Sequence, residues 1–529
     1  MALPTAYSQE HAGNQRLALV FGATGTVGTN LVPALVRAGW HVRAAARNRA
    51  ALEARFGPDA DTVTADALRP DTLQAALKGV DTAYYLVHSM AAGRDFGRLD
   101  VTAAGHFADA AGQAGVRCIV YLGGLVPPAA NSEHLLSRRD TGERLRQGSV
   151  PVIELRAGII VGPGSAAFEV IRDLVNALPV MITPKWVRSR TAPIALDNLL
   201  HYLVQAADLP HAGGAILDAA GPEYISYEAM IRGFAAIIGK KPRIIPVALM
   251  TPHLSAYWLA LVTSVPTPIA RALIGGLAHD IPADDAALRR LVPQVLLAYH
   301  DAVIAAMEAE RQHAFGTRWK EGTFMFRDYR HDYAFYAKRA GGSAISRACP
   351  ATVWHVVQAI GGDNGYYYMD ILWTIRGAMD RVVGGPGLDK GRHHPETLHV
   401  GDKIDCWTVL AIEPERRLTL HFGMRAPGSG VLEFELEPLA DGGTKITVTA
   451  YWHPKGAWGL SYWYAMIPAH EFLFRGMTEA IARRAELLDH RGVGLALPPA
   501  GRGFASALHQ GQAPLDRHSD ALTPRVAKQ

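Results

Sequence analysis

Hydrophobic positions in the first half of the chain fall into short apolar runs separated by stretches of helical spacing. Leu17–Phe21 (LALVF) is unbroken apolar sequence, the pattern of a strand buried on both faces. Residues 29–37 follow with helical spacing, which puts Val27, Leu31, Ala34 and Leu35 on one face. Further strand-like runs lie at 41–47 (HVRAAAR), 62–65, 83–87 (AYYLV), 117–122 (RCIVYL), 152–155, 159–161 and 215–218. Helical stretches at 72–77, 101–114 and 227–239 stand between or after them. This alternation predicts an α/β domain with a parallel, doubly wound sheet. The pattern changes beyond about residue 325. A strand at 333–338 and a helix at 346–360, entered through Pro350, precede four strand-like runs at 403–412, 416–425, 430–439 and 443–452. Turn signals stand at Pro414, Pro427-Gly428 and Asp441-Gly442-Gly443, and an amphipathic helix at 468–488 closes the pattern. The second half therefore predicts an α+β domain.

Chemistry enters at the end of the first strand. Gly22, Gly25 and Gly28 recur at three-residue intervals between strand and helix. Glycine permits the sharp turn and lets a phosphate approach the backbone, and the helix behind it offers free N–H groups. The context is that of a pyrophosphate cradle; a plain strand-to-helix turn is the bland alternative. An acidic residue about twenty positions further on would select NAD through the ribose 2′-OH. None lies between Gly28 and Glu53; Arg43, Arg47, Asn48 and Arg49 stand there instead. A guanidinium suits a phosphate, so the pattern predicts NADP, with Arg47 on the 2′-phosphate, against the reading of a solvated charge run. Asp66 ends the third strand as an acceptor for the adenine amino group or as a turn residue. His88 and Ser89 follow the fourth strand and Gly123-Gly124 the fifth, at the carboxyl edge where α/β sheets bind ligands.

Several segments together are distinctive: VFGATGTVG, YYLVHSM, YLGGLVP, HLLSRRDTGERLR, ELRAGIIVGPGSAAFEVIRDLV, LPVMITPKWVRSRTAPIALDNLL and LSAYWLALVTSVP. They resemble a bacterial family of atypical, NmrA-like or nucleoside-sugar-epimerase-like short-chain dehydrogenase/reductases, fused to a C-terminal domain of unknown function. The resemblance implies a Rossmann-type domain over residues 15–320, with a helical substrate-side lid at about 250–300. It implies a helix-grip domain of START or polyketide-cyclase type over 325–490, which would enclose an apolar cavity. Cofactor contacts would come from Gly22, Thr24, Gly25, Thr26, Val27, Gly28, Arg47, Asp66, Leu86 and Gly123. One departure is catalytic. Such reductases carry a Tyr-x-x-x-Lys pair after the fifth strand, in which lysine tunes the tyrosine for proton transfer. Here His134-Leu-Leu-Ser-Arg138 occupies that place. His88 or His134 is expected to move the proton, with Arg138 as electrostatic partner; a polar helix face with a surface ion pair from Arg138 to Asp140 or Glu143 is the alternative.

Composition narrows the classes. The 529 residues are long enough for two to four domains, and a net charge of +4 with interspersed signs predicts no nucleic-acid partner. Cys118, Cys349 and Cys406 lack paired spacing, which fits a cytoplasmic protein without disulfides. His393, His394 and His399 invite a metal reading, but without carboxylate or cysteine support none is expected. Residues 254–269 are uncharged yet interrupted by prolines, so they predict a buried or interfacial helix with peripheral membrane contact as the minor alternative. Residues 1–14 and those after 491 read as flexible ends. The aromatic cluster Trp452, Trp458, Tyr462, Trp463 and Tyr464 reads as packing ahead of a ligand wall. The expected function is NADP-dependent hydride transfer to a carbonyl, quinone or activated alkene of an apolar small molecule. The rivals are a non-catalytic NAD(P)-binding redox sensor and a hydrophobic-ligand-binding protein with a vestigial nucleotide site.

Overall fold

Successive side chains of the first strand, β1 (Leu17–Phe21), go to opposite cores. Ala18 and Val20 join Leu31, Leu35, Leu199 and Leu203 on one face. Leu19 and Phe21 join Leu73, Leu77 and Phe107 on the other. A strand with both faces covered gains nothing from polar alternation, which is why LALVF is apolar throughout. The computed structural model describes residues 16–316 and 337–490, except 57–58, 89–95, 128–131, 210–213, 383, 386, 389–397 and all of 248–278 but Leu259, Val262 and Thr263. The chain divides into two units. One comprises residues up to Arg339 with Ala426–Val431 and Ala450–Ile467; the other comprises Ala340–Arg425, Leu432–Thr449 and the residues from Pro468 on.

The first unit is built on seven parallel strands: β1, β2 (His41–Ala46), β3 (Asp61–Thr64), β4 (Thr82–Tyr85), β5 (Cys118–Gly124), β6 (Val152–Ala157) and β11 (Ala215–Ala219). Their order is β11-β6-β5-β4-β1-β2-β3, with every neighbouring pair parallel. The direction of winding reverses between β1 and β4, which opens a crevice at the carboxyl edge. This is the doubly wound Rossmann-type sheet that the alternation predicts. Small pairs flank it: β7 (Ile160–Val161) with β10 (Ile194–Ala195), β8 (Val180–Pro184) with β13 (Arg243–Val247), and β9 (Arg190–Thr191) with β12 (Ile225–Ser226). They frame a separate hydrophobic core containing Phe168, Ile171, Met181, Met230, Phe234 and Val303.

Two differences from the sequence reading have local causes. The helix over Ala166–Ala177, which the sequence reading did not assign, buries Glu169, Arg172 and Asp173 beside Phe168, Ile171, Leu174 and Val175. Glu169 accepts from Arg172 and from the Gly164 amide, so the charges are matched inside the core. Within the lid expected at 250–300, the described residues hold the short helix Ala286–Leu291 and the start of the helix Tyr299–Gly316, whose Tyr299, Ala302 and Val303 are buried. Most of 250–278 lies outside the described residues, and with it most of the interfacial helix expected at 254–269.

A separate six-stranded sheet, in the order β14-β19-β18-β17-β16-β15, falls mostly within the second unit, with Lys338–Arg339, Gly428–Val431 and Ala450–Pro454 assigned to the first. Its strands are β14 (Lys338–Ser346), β15 (Lys403–Ile404), β16 (Trp407–Glu413), β17 (Arg417–Phe422), β18 (Gly428–Pro438) and β19 (Thr444–Pro454), and β15-β16-β17 run antiparallel. The helix expected at 346–360 is Pro350–Gln358; a second helix, Asp370–Val382, was not legible. The closing helix spans Gly456–His490, so Pro468 lies inside it rather than at its start. Asp380 and Asp405 serve the fold: Asp380 accepts from the Gly387 and Arg425 amides, and Asp405 from the Gly362 amide and the Tyr366 hydroxyl. His393, His394, the boundary at 322–332 and the tail after 491 lie outside the described residues. Among the described residues no cluster of three metal-ligating side chains occurs, and no helix is long and apolar enough to cross a membrane.

Glu154 on β6 is the buried charge that ties the helix Glu133–Arg146 to the sheet. Its side chain is 1% exposed and pairs with Arg146 and Arg156. A Cβ on Gly142 would stand 2.6 Å from Glu154 Oε2, and one on Gly123 would stand 2.9 Å from Oε1. Glycine at both positions makes room for the carboxylate. Glu154→Ala should lower the unfolding free energy of the first unit by about 2–3 kcal/mol in urea titration. This is less than a fully enclosed pair would lose, because both arginines keep about a quarter of their surface in solvent.

Candidate functional site

The turn after β1 is closed by backbone hydrogen bonds. Gly22 takes φ +94°, its amide donates to Ala45 O (2.9 Å), and its carbonyl accepts from the Gly25 amide (3.0 Å). A Cβ on Gly28 would stand 2.4 Å from Gly22 O and 2.8 Å from Ala23 Cα, so only glycine lets the helix approach its strand this closely. That helix, α1 (Thr26–Arg37), is capped by Gly25 with no side-chain hydrogen bond and has no acid in its first turn. Its N-terminus therefore faces the crevice with positive partial charge and no internal anion. Thr26 and Thr29 donate their hydroxyls to Gly164 O (2.9 Å) and Ala23 O (3.2 Å). The residues present fit a dinucleotide diphosphate.

A cavity of about 370 Å³ opens directly from this turn. Gly22, Gly25, Thr26, Val27 and Gly28 line one end, with Leu86 and His88 from the end of β4 and Gly123 and Gly124 from β5. His134 and Arg138 enter from the helix Glu133–Arg146, and the remaining wall is mostly aliphatic. The sequence-predicted groups His88, His134 and Arg138 thus share one cavity with the glycine turn. Ser89 lies outside the described residues.

Among the described residues lining the cavity, Arg138 supplies the one fixed charge. Arg138 donates from Nη1 to Leu122 O (3.0 Å), and its own backbone carbonyl accepts from the Tyr121 hydroxyl (3.0 Å). The ion pairs to Asp140 and Glu143 belong to Arg139 (3.0 and 3.7 Å), while Arg138 turns inward. This corrects the alternative that placed Arg138 on a surface pair. His134 is half-buried, and burial, with Arg138 nearby, pushes its imidazole down to about 3. His88 lines the cavity and keeps an exposed surface. Desolvation there, with Arg138 and His134 as neighbours, holds it well below the usual histidine range. Both rings are neutral at physiological pH, so neither serves as a standing imidazolium acid.

On the adenosine side the arginines separate. Arg43 is taken up by Ala76 O (2.9 Å) and Lys78 O (2.8 Å), and Arg49 by Glu53 in an i,i+4 pair. Arg47 is exposed just past β2 and, of these three, is the one without a hydrogen bond or ion pair among the described residues. Asp66 accepts from the Leu68 amide (3.0 Å), the turn role weighed for it; neither Arg47 nor Asp66 borders the cavity. Arg55 escaped the sequence reading. It donates to Thr24 O and to Thr29 Oγ1 (3.0 Å) and so braces the glycine turn from behind. Its helical position facing that turn was the available signal. Gly158 and the Gly164-Ser165 turn, which also border the cavity, were visible as turn residues with no role attached.

Comparisons with known proteins agree with this geometry. Residues 22–138 match a family described as NAD(P)H-binding, and residues 342–477 match a protein family of unknown function (DUF2867). A ceramide reductase of Caulobacter vibrioides is 26% identical over 228 residues, which cover 43% of this chain and 72% of that protein. Among solved structures, triphenylmethane reductase of Citrobacter sp., complexed with NADP(H), is 18% identical with a TM-score of 0.46, covering 55% of this chain and 99% of that one. An NADPH-dependent quinone oxidoreductase of Escherichia coli is 19% identical with a TM-score of 0.46, again over 55% of this chain and 99% of that one. The first unit thus has a Rossmann-type sheet, and residues 22–138 within it match an NAD(P)H-binding family.

Proposed function

We propose that the protein is an NADPH-dependent reductase acting on a carbonyl, quinone or activated alkene of an apolar molecule. The observation that carries this reading is the continuity of one cavity from the glycine turn, past His88, His134 and Arg138, to an aliphatic wall. Such a cavity offers a hydride donor, a charged point and an apolar berth in sequence. The relative named ceramide reductase supports a long-chain substrate. The second unit, read as a helix-grip domain, would bind or present that apolar molecule.

In this reading the amides of the turn hold the diphosphate, Arg47 takes the 2′-phosphate, and Asp66 meets the adenine edge. Leu86 and Gly123 leave room for the nicotinamide end. When bound, the dihydronicotinamide supplies a hydride to the electrophilic carbon. As the carbonyl π bond gives way, Arg138 stabilises the negative charge that develops on oxygen. A ring N–H of neutral His134 or His88 gives that oxygen its proton, and solvent restores the proton to the ring. Hydride to the carbon and this proton to the oxygen would complete a two-electron reduction to the alcohol.

Turnover separates this reading from that of a redox sensor: saturable NADPH oxidation with a long-chain ketone or a quinone supports it, and tight NADPH binding without oxidation overturns it. Arg47→Ala should weaken NADPH at least about tenfold in calorimetry while NADH changes little, since only the phosphorylated ribose meets the guanidinium. Arg138→Gln should lower kcat by about 10²-fold or more with NADPH affinity nearly unchanged. Stability should also report the neutral histidine. His134 is held at about 3 in the fold against about 6.5 when unfolded, so the unfolded chain binds the extra proton between these values. Its contribution is complete above pH 6.5 and is lost as pH falls toward 3, by at most about 1.4 kcal/mol per unit. Urea unfolding at pH 7 and pH 5 should therefore show a smaller acid loss for His134→Gln than for the wild type.

A further inference from the structure

The small parallel pair β8–β13 turns an apolar face to solvent. Val180 and Ile182 of β8 and Ile245 of β13 are 48%, 50% and 48% exposed, while Met181 and Thr183, which alternate with the first two, are buried. The register sets Ile182 beside Ile245 and Val180 beside Arg243, so these four side chains share the outer face. Parallel strands are ordinarily covered by apolar packing on both sides. Here the cover lies on one side: Met181 joins the core of Phe168 and Phe234, and Thr183 borders the cavity. The rim of the outer face is basic. Lys241 and Arg243 are exposed, and Lys240 ties this end to Asn176 Oδ1 (2.7 Å). A Cβ on Gly456 would lie 3.7 Å from Asn176 O, which brings exposed Lys455 and Trp458, 82% exposed, to the same end of the pair. No Asp or Glu occurs between Asp173 and Asp197, between Glu228 and Asp280, or between Asp441 and Glu471, the three segments that meet here.

We infer that the outer face of β8 and β13 docks on an anionic lipid surface. The three aliphatic side chains enter the acyl boundary, Trp458 sits at headgroup level, and Lys241, Arg243 and Lys455 meet the lipid phosphates. Charge decides between this occupant and a second copy of the chain, since two-fold pairing of the face would set the same cations against one another. The docking stands apart from the reductase reading. Where both hold, the aliphatic wall of the cavity takes its long-chain substrate from the bilayer against β8.

The test is flotation of the full chain, without cofactor, with vesicles of phosphatidylcholine alone or with about 30 mol% phosphatidylglycerol. The wild type should partition to the anionic vesicles at least about tenfold more strongly than to the neutral ones, and high salt should remove that preference. Val180→Thr/Ile182→Thr/Ile245→Thr keeps shape and strand preference, and should weaken anionic partition at least about tenfold. Ile216→Thr, on the edge strand β11 and 46% exposed, should float as the wild type does. Hydrogen exchange of the wild type reads the same face without a variant: amides of β8 and β13 should slow on anionic vesicles. The inference is overturned if the wild type floats with neither vesicle or treats them alike, if the triple variant floats undiminished, if Ile216→Thr loses as much, or if those amides exchange unchanged. A dimer that the triple variant dissolves in light scattering, without flotation, overturns it in favour of a second copy. NADPH titration of the same samples judges the reductase reading separately: failure there rejects that reading, while flotation still reports on the strand pair.

Discussion

The candidate site depends on one close approach, that of Gly28 to the carbonyl of Gly22. No side chain fits between them, so the first helix starts directly against the end of the first strand, and its unpaired amides are aimed along the carboxyl edge of the sheet. Everything placed at that edge inherits its position from this contact. The ends of β4 and β5 bring His88 and Gly123 beside it, and Thr26 ties the turn to Gly164 on the opposite wall. Arg55 fixes the back of the turn, so the cradle is shaped before any anion arrives.

Electrostatics in the cavity follow from enclosure. A single guanidinium anchored to a strand carbonyl sits beside two imidazoles in a largely aliphatic space, and the arrangement suppresses protonation of both rings. A neutral ring next to a permanent cation is suited to handing over an N–H proton as negative charge builds, whereas a second cation would repel the first. The missing Tyr-x-x-x-Lys pair is thus compatible with proton transfer by other groups, and the structure shows which groups share the cavity.

Much of this arrangement was legible because it rests on backbone chemistry. An all-apolar strand, three glycines and a helix specify the turn, and the alternation beyond it specifies the parallel sheet. The carboxyl-edge rule put His88 and Gly123 at the same sheet edge as the glycine turn from sequence position alone. What escaped depended on pairing at a distance. Glu169 and Arg172 look like surface residues until their mutual contact and the Gly164 amide are seen. Arg138 and Arg139 are indistinguishable in sequence, and only the helix phase decides which turns inward.

The anchoring of Arg138 has a stereochemical corollary. Its guanidinium is tied to Leu122 and its own carbonyl to Tyr121, so the positive point is stationary with respect to the sheet edge. On the reading proposed here, a ketone must bring its oxygen to that point while its chains lie along a fixed aliphatic wall. Two of the three directions around the trigonal carbon are then set by protein, and a hydride arriving from the nicotinamide side meets a single prochiral face. The alcohol produced would carry one handedness, dictated by a side chain that never bonds to carbon.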